Sequence, residues 1–278
     1  MRIISNKTLN VRLMFEKLFY LHWNNYPFGN YQVANENYYK KVYQEAIKEV
    51  YPDIDKYERK TKERIPKEWL NNLALHTQVT KKKSKICFAH GRLLFSALSN
   101  YINENKLSQK CKITIYETGT ARGFSSLCMA LALSKKKIQG LICTFDVLPH
   151  NIPMYWNIID DKNGPRTRAD LLKPWKDLVE RYILFVQGNT RIELPKIQVE
   201  RINFAFLDGA HTYDDIMFEF KQIYKKQITG DIIIYDDYSP KHFPDLVIAI
   251  NKICKKYNYE YQILKANEDR GYLIAKKI

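Results

Sequence analysis

The sequence predicts an α/β protein built on a mostly parallel, Rossmann-like sheet. Three observations predict it. Short β-rich runs recur after about residue 110, segments of helical period separate most of them, and several runs end on a polar residue followed by a turn. Such an alternation buries both faces of the sheet and leaves ligands to bind outside the carboxyl ends of the strands.

The runs are "KITIYE", "LICTFD", "YILFVQG", "INFAFLD", "DIIIYDD", "YEYQILK" and "GYLIAKK". Helical spacing covers Ser125 to Ser134, Tyr213 to Gln227 and Pro244 to Tyr257. Only "ANEDR" separates the last two runs, which is too short for a crossover helix, so they should form an antiparallel C-terminal hairpin at the sheet edge. Before residue 110 the chain changes character. "NENYYKKVYQEAIKEVY", "PKEWLNNLALHTQV" and "KICFAHGRLLFSALSNYINEN" all have helical periodicity, which gives a helical N-terminal extension over 1–109 and a sheet-containing domain over 110–278.

Composition narrows the class. The 278 residues are 45% hydrophobic, and no apolar stretch approaches the roughly 20 residues that span a bilayer, so no membrane partner is expected. The start, "MRIISNKTLNVRLMFEKLFYLHW", is interrupted by polar residues and lacks a small-residue cleavage site, so the expected location is cytoplasmic. Five cysteines without a CxxC pair read as reduced core residues. The net charge of +15 raises nucleic acid as a partner, but the lysines are scattered, as at Lys40, Lys81 to Lys83 and Lys135 to Lys137, and read as solvated faces. No proline precedes a proline or a cysteine, so the Pro-Pro-aromatic and Pro-Cys motifs of enzymes that modify nucleic-acid bases are missing. Nucleic acid is therefore the alternative rather than the expected partner, and self-association into a homo-oligomer is left open.

The strand ends carry the chemistry. The first gives "IYETGTARGFSS", a strand, an acid, a glycine turn and a helix start. A dinucleotide site needs a second glycine facing the pyrophosphate, and Ala121 stands there; Glu117 would repel a pyrophosphate yet suits a ligand with an ammonium and a sulfonium. The turn favours S-adenosylmethionine over a nicotinamide dinucleotide. Asp146 ends the second strand, where it either binds the ribose hydroxyls or caps a turn. Gly188 and Asn189 follow the third, and either approach an adenine edge or form a plain turn.

With "ETGTARGFSS", "FLDGAHTYDD" and "GDIIIYDDY", the chain from about Ile113 to Lys277 resembles the class I S-adenosylmethionine-dependent methyltransferases, in particular the branch of macrocin O-methyltransferase and related sugar O-methyltransferases. The resemblance implies a seven-stranded sheet, with Glu117, Thr118, Gly119, Thr120, Ala121, Gly123, Ser125 and Ser126 around the cofactor, Asp146 at the ribose, and Gly188, Asn189 and Asp208 completing its site. It also implies that Asp208, Asp236 and Asp237 hold a divalent metal and that His211 is the general base. It does not reach the first 110 residues.

The residues support that reading independently. Asp208, Asp236 and Asp237 close two successive strands at one sheet edge, and carboxylates crowded there repel one another unless a hard dication such as Mg²⁺ joins them. Neighbouring hydroxyls of a saccharide or another small-molecule acceptor could take the remaining positions, and His211 could accept the proton, since an imidazole titrates near neutral pH. Asp208 and His211 could instead be a capping pair before a helix. The long connection after Asp146, with Tyr155, Trp156, Arg166 and Arg168, reads as a lid over the acceptor or as a locally packed insertion. His22, His76, His90, His150 and His242 are expected in satisfied or exposed roles. The function expected is S-adenosylmethionine-dependent O-methyl transfer, with a nucleic-acid methyltransferase or a non-catalytic S-adenosylmethionine-binding partner subunit as alternatives.

Overall fold

Residue parity along the strands sets the architecture. In β4 (Phe204–Leu207), Phe204 and Phe206 join one hydrophobic core while Ala205 and Leu207 join the other. In β5 (Ile232–Tyr235), Ile232 and Ile234 likewise face the first core, and Ile233 and Tyr235 the second. Both strands are buried at every position, as the continuous apolar runs require of a sheet covered on both faces.

The computed structural model describes residues 29–209 and 211–278. The opening residues, with the signal-like start and His22, lie outside the described residues. The sheet has seven strands: β1 (Lys112–Thr118), β2 (Gln139–Asp146), β3 (Ile183–Gln187), β4, β5, β6 (Tyr259–Lys265) and β7 (Gly271–Lys277), in the order β3-β2-β1-β4-β5-β7-β6. β1 to β5 are parallel, and β7 runs antiparallel to both β5 and β6. The hairpin is therefore the expected one, with β7 slotted inside and β6 on the edge.

The N-terminal helices α1 (Glu36–Ala46), α2 (Pro52–Thr61), α3 (Lys67–Thr77) and α4 (Ala89–Glu104) share the first core with α5 (Phe124–Lys136), so the extension is built into one face of the sheet. The periodicity of the extension does not separate α2 as a helix of its own; Pro52 at its first turn starts it, and Lys62 in the left-handed region ends it. α4 lies along α5, and Gly91 makes this possible, because a Cβ there would stand 2.6 Å from the Phe124 ring. α6 (Arg168–Leu171), α7 (Lys176–Tyr182) and α8 (Thr190–Glu193) flank β3. α9 (Tyr213–Tyr224) and α10 (Pro244–Lys256) cover the opposite face with the second core. The Thr212 side chain caps α9 by accepting from the Asp215 N–H at 3.2 Å. Among the described residues, no helix is long and apolar enough to cross a membrane. Four of the five cysteines are buried and all are free.

Candidate active site

The parallel order brings the carboxyl ends of β1, β2, β4 and β5 to one edge. After β1 the chain reverses through a turn with three left-handed residues, Gly119 (φ +90°), Ala121 (φ +45°) and Gly123 (φ +85°). Gly119 cannot be replaced without movement: a Cβ would stand 2.2 Å from the Asp208 carbonyl oxygen, so the glycine turn and the end of β4 touch here. Ala121 fills the place where a dinucleotide fold needs glycine, and it tolerates a conformation that favours glycine.

Asp146 sits beside this turn. Its Oδ2 accepts from the Ala121 N–H at 2.5 Å and its Oδ1 from the Leu148 N–H at 2.7 Å. A carboxylate has about four acceptor positions, and those not used by the backbone can be offered to a ribose hydroxyl. The arrangement fits a nucleoside. Burial is the largest influence on Asp146 and raises its pKa, against the pull of Arg168 and the backbone amides.

Several expected cofactor residues turn inward instead. Glu117 is fully buried and accepts from the Ser125 and Ser126 hydroxyls, and burial pushes its carboxyl up to about 6. The Thr118 hydroxyl donates to Glu219 at 3.0 Å, and the Thr120 hydroxyl pairs with Thr144 at 2.5 Å. These side chains fix the turn, leaving its backbone as the surface offered to a ligand. The Asn189 side chain caps α8 by accepting from the Arg191 N–H at 2.9 Å, and the Gly188 N–H donates to the Asp146 carbonyl at 2.7 Å.

The connection after β2 is a packed insertion rather than an open flap. Trp156 and Arg168 are buried, and Arg168 is held by aromatic faces of Trp156 and Phe185, each 5.6 Å away. Its Nε donates to the Ala121 carbonyl at 2.9 Å and its guanidinium stands 3.8 Å from Asp146. Arg168 thus locks the insertion to the glycine turn and is not a free hand for an acceptor. Arg166 and Tyr155 remain partly exposed.

At the ends of β4 and β5, Asp208, His211 and Asp237 come together, with one ligand atom of each within 4.8 Å of the others. His211 Nε2 lies 3.0 Å from Asp237 Oδ2, and its ring stacks on Phe243 at 4.3 Å. Asp236 does not join them. Its carboxylate is buried and gripped in bidentate fashion by Arg270, with Nε donating to Oδ1 at 3.0 Å. The metal set expected from sequence is Asp208, Asp236 and Asp237; the set the fold assembles is Asp208, His211 and Asp237, because consecutive residues leave a strand end in different directions.

The electrostatics fit a cation. Burial, then repulsion from Asp236 and Asp237, raises the Asp208 carboxyl well above its usual range, and Arg270 relieves this only in part. Burial would raise Asp237 too, but the hydrogen bond from His211 and the charge of Arg270 hold it below its usual range. A dication between Asp208 and Asp237 would remove the repulsion.

Residues 116–238 match a family described as a methyltransferase domain. That stretch of the chain is similar to a methyltransferase domain. Compared by sequence with curated proteins, the chain has no significant match. Among solved structures it is similar in fold to the O-methyltransferase NovP, at 15% identity and a TM-score of 0.52, over 71% of this chain and 83% of that one. It is also similar to cofactor-bound Rv0187 from MTB, at 13% identity and a TM-score of 0.50, over 74% of this chain and 85% of that one. The glycine turn and Asp146 lie within the matched family residues, as do Asp208, His211 and Asp237.

Sequence reasoning missed Arg270 and Glu219. Arg270 closes the β6–β7 turn, 34 residues from its partner Asp236, and no periodicity links the two. Glu219 looks like an exposed helix position, yet it is fully buried under Thr118.

Proposed function

We propose that the methyltransferase transfers a methyl group to a hydroxyl of a sugar or a glycosylated small molecule, assisted by Mg²⁺, in the manner of the macrocin O-methyltransferase branch. One observation carries this reading: Asp208, His211 and Asp237 meet within 4.8 Å at a strand end that touches the cofactor turn through Gly119. NovP, similar in fold, is itself an O-methyltransferase, which supports oxygen as the accepting atom.

Asp146 and the backbone of residues 119–123 would hold S-adenosylmethionine, which supplies a methyl group on a sulfonium. Asp208 and Asp237 would hold the Mg²⁺, since that ion prefers carboxylate oxygens, and its charge makes a nearby hydroxyl more acidic. With His211 Nε2–H donating to Asp237, Nδ1 is the lone pair that takes the acceptor proton. Asp237 then steadies the imidazolium, as a carboxylate does behind a catalytic histidine. Phe243, stacked on the ring, fixes its plane. Positioning and this base together set the rate, with the base worth about 10²- to 10⁴-fold.

The test is transfer of radiolabelled methyl from S-adenosylmethionine to a saccharide panel, with the product examined for a base-stable methyl ether. An ether on a sugar ring supports the proposal. Label found only as a base-labile ester, or only in nucleic acid, contradicts it.

A further inference from the structure

We propose that Asn157 is a positioning residue for the cofactor: anchored by the N-terminal extension, it sets the Trp156 carbonyl that holds Arg122 of the glycine turn, so that the extension tunes the affinity for S-adenosylmethionine. This rests on the reading that S-adenosylmethionine lies along the backbone of residues 119–123.

Three consecutive residues of the insertion divide their bonds between two sides. Tyr155 pairs with Gly29: its N–H donates to the Gly29 carbonyl at 2.9 Å, and its carbonyl accepts from the Gly29 N–H at 3.1 Å. The Asn157 Oδ1 accepts from the Tyr39 hydroxyl of α1 and from the Lys81 N–H, both at 3.0 Å, while Nδ2 donates to the Lys81 carbonyl at 2.9 Å. Trp156, between them, accepts at its carbonyl from Arg122 Nε at 2.7 Å. The extension thus grips both neighbours of a residue that reaches the glycine turn.

Burial makes these bonds hard to replace. Tyr39 and Asn157 are fully buried, and Trp156 and Arg122 nearly so. Tyr39 packs with Val79 and Ile159 in a small apolar cluster that joins α1, the loop after α3 and the insertion. A polar group shut away from water needs a partner inside the protein, so solvent does not make good the loss of the Tyr39 hydroxyl or the Asn157 amide.

Backbone strain gives the network something to hold. Asn157 (φ +56°) lies in the left-handed region, which asparagine tolerates better than most side chains. Ala121, next to Arg122, is left-handed too, and such a conformation persists only where its surroundings over-determine it. Asp146 holds the Ala121 N–H at 2.5 Å, Arg168 holds its carbonyl at 2.9 Å, and the Trp156 carbonyl holds the Arg122 side chain. With Asn157 loosened, the turn loses one of these restraints. The cofactor must then order the turn as it binds, at a cost in affinity.

Calorimetry with S-adenosylhomocysteine, beside hydrogen–deuterium exchange, tests this without any acceptor. Tyr39→Phe should weaken S-adenosylhomocysteine binding by about fivefold or more, and so should Asn157→Gly, which keeps the left-handed backbone but removes the amide. Tyr51→Phe should not, because the Tyr51 hydroxyl, also buried in the extension, has no hydrogen-bond partner among the described residues. Coupling is reciprocal, so S-adenosylhomocysteine should slow amide exchange in α1 of the native chain, and Tyr39→Phe should abolish that slowing. Native affinity in Tyr39→Phe and Asn157→Gly, an equal loss in Tyr51→Phe, or exchange in α1 indifferent to S-adenosylhomocysteine overturns the proposal while leaving the cofactor reading intact. A native chain that binds no S-adenosylhomocysteine overturns the cofactor reading, and the proposal with it.

Discussion

Asp237 does three things within a few ångströms. It orients His211, shares the field of Arg270 and faces Asp208, and its left-handed backbone (φ +52°) turns it away from the direction Asp236 takes. Sequence put Asp208, His211, Asp236 and Asp237 at one sheet edge because successive strands are readable from hydrophobic runs, and Asp208, His211 and Asp237 lie within 4.8 Å there. It could not separate Asp236 from Asp237, because which of two adjacent carboxylates meets Arg270 depends on the backbone twist at one residue. His211→Ala should retain S-adenosylhomocysteine affinity and lose about 10²- to 10⁴-fold in kcat, less at high pH where hydroxide replaces the base; full activity would move the base elsewhere. Glu219 makes a prediction for stability. Burial pushes its carboxyl up to about 7, above the usual 4.5, so the folded state retains a proton that the unfolded state releases. Stability from this group is complete at low pH and declines as pH rises from about 4.5 to 7. Glu219→Gln, which mimics the protonated acid, should flatten the fall in Tm between pH 5 and 8 relative to the native chain; parallel curves would show that Glu219 titrates normally.

The glycine turn and the insertion act as elements. Sequence identified the turn from "ETGTARG", and its left-handed residues are where that motif requires them. It read the serines and threonines as ligand contacts, whereas the fold spends their hydroxyls on Glu117, Glu219 and Thr144. Small hydroxyl residues near a strand end satisfy a ligand and a buried acid equally well, so the pattern cannot tell them apart. The insertion's role is equally ambiguous in sequence, and the burial of Arg168 against Ala121 and Asp146 decides it. Arg168→Ala removes that lock and leaves Asp146 buried with less compensation. It should cost about 3 to 5 kcal/mol in unfolding free energy and weaken S-adenosylhomocysteine binding, as checked by denaturant melts and calorimetry. Stability within about 1 kcal/mol of native would mean that the insertion is held by its aromatic packing alone.

At the scale of the whole molecule, all seven strands and the antiparallel ending were legible, since a period of two and short apolar runs are local signals. The integration of the N-terminal helices was not. Their apolar faces predicted helices, but only the three-dimensional packing of α4 on α5 makes them part of the first core. The net charge of +15 belongs to this scale too. If it is a property of solvated faces, binding to DNA or RNA in a filter assay should be sequence-blind and vanish as salt rises toward the physiological range. Selective binding at that salt would favour nucleic acid as the acceptor. The most direct test of the whole account is methyl transfer to saccharide with and without chelator, read beside S-adenosylhomocysteine affinity. The account predicts that EDTA abolishes transfer, that Mg²⁺ restores it, that Asp237→Asn cannot be restored, and that cofactor binding survives throughout; undiminished transfer in EDTA would contradict it.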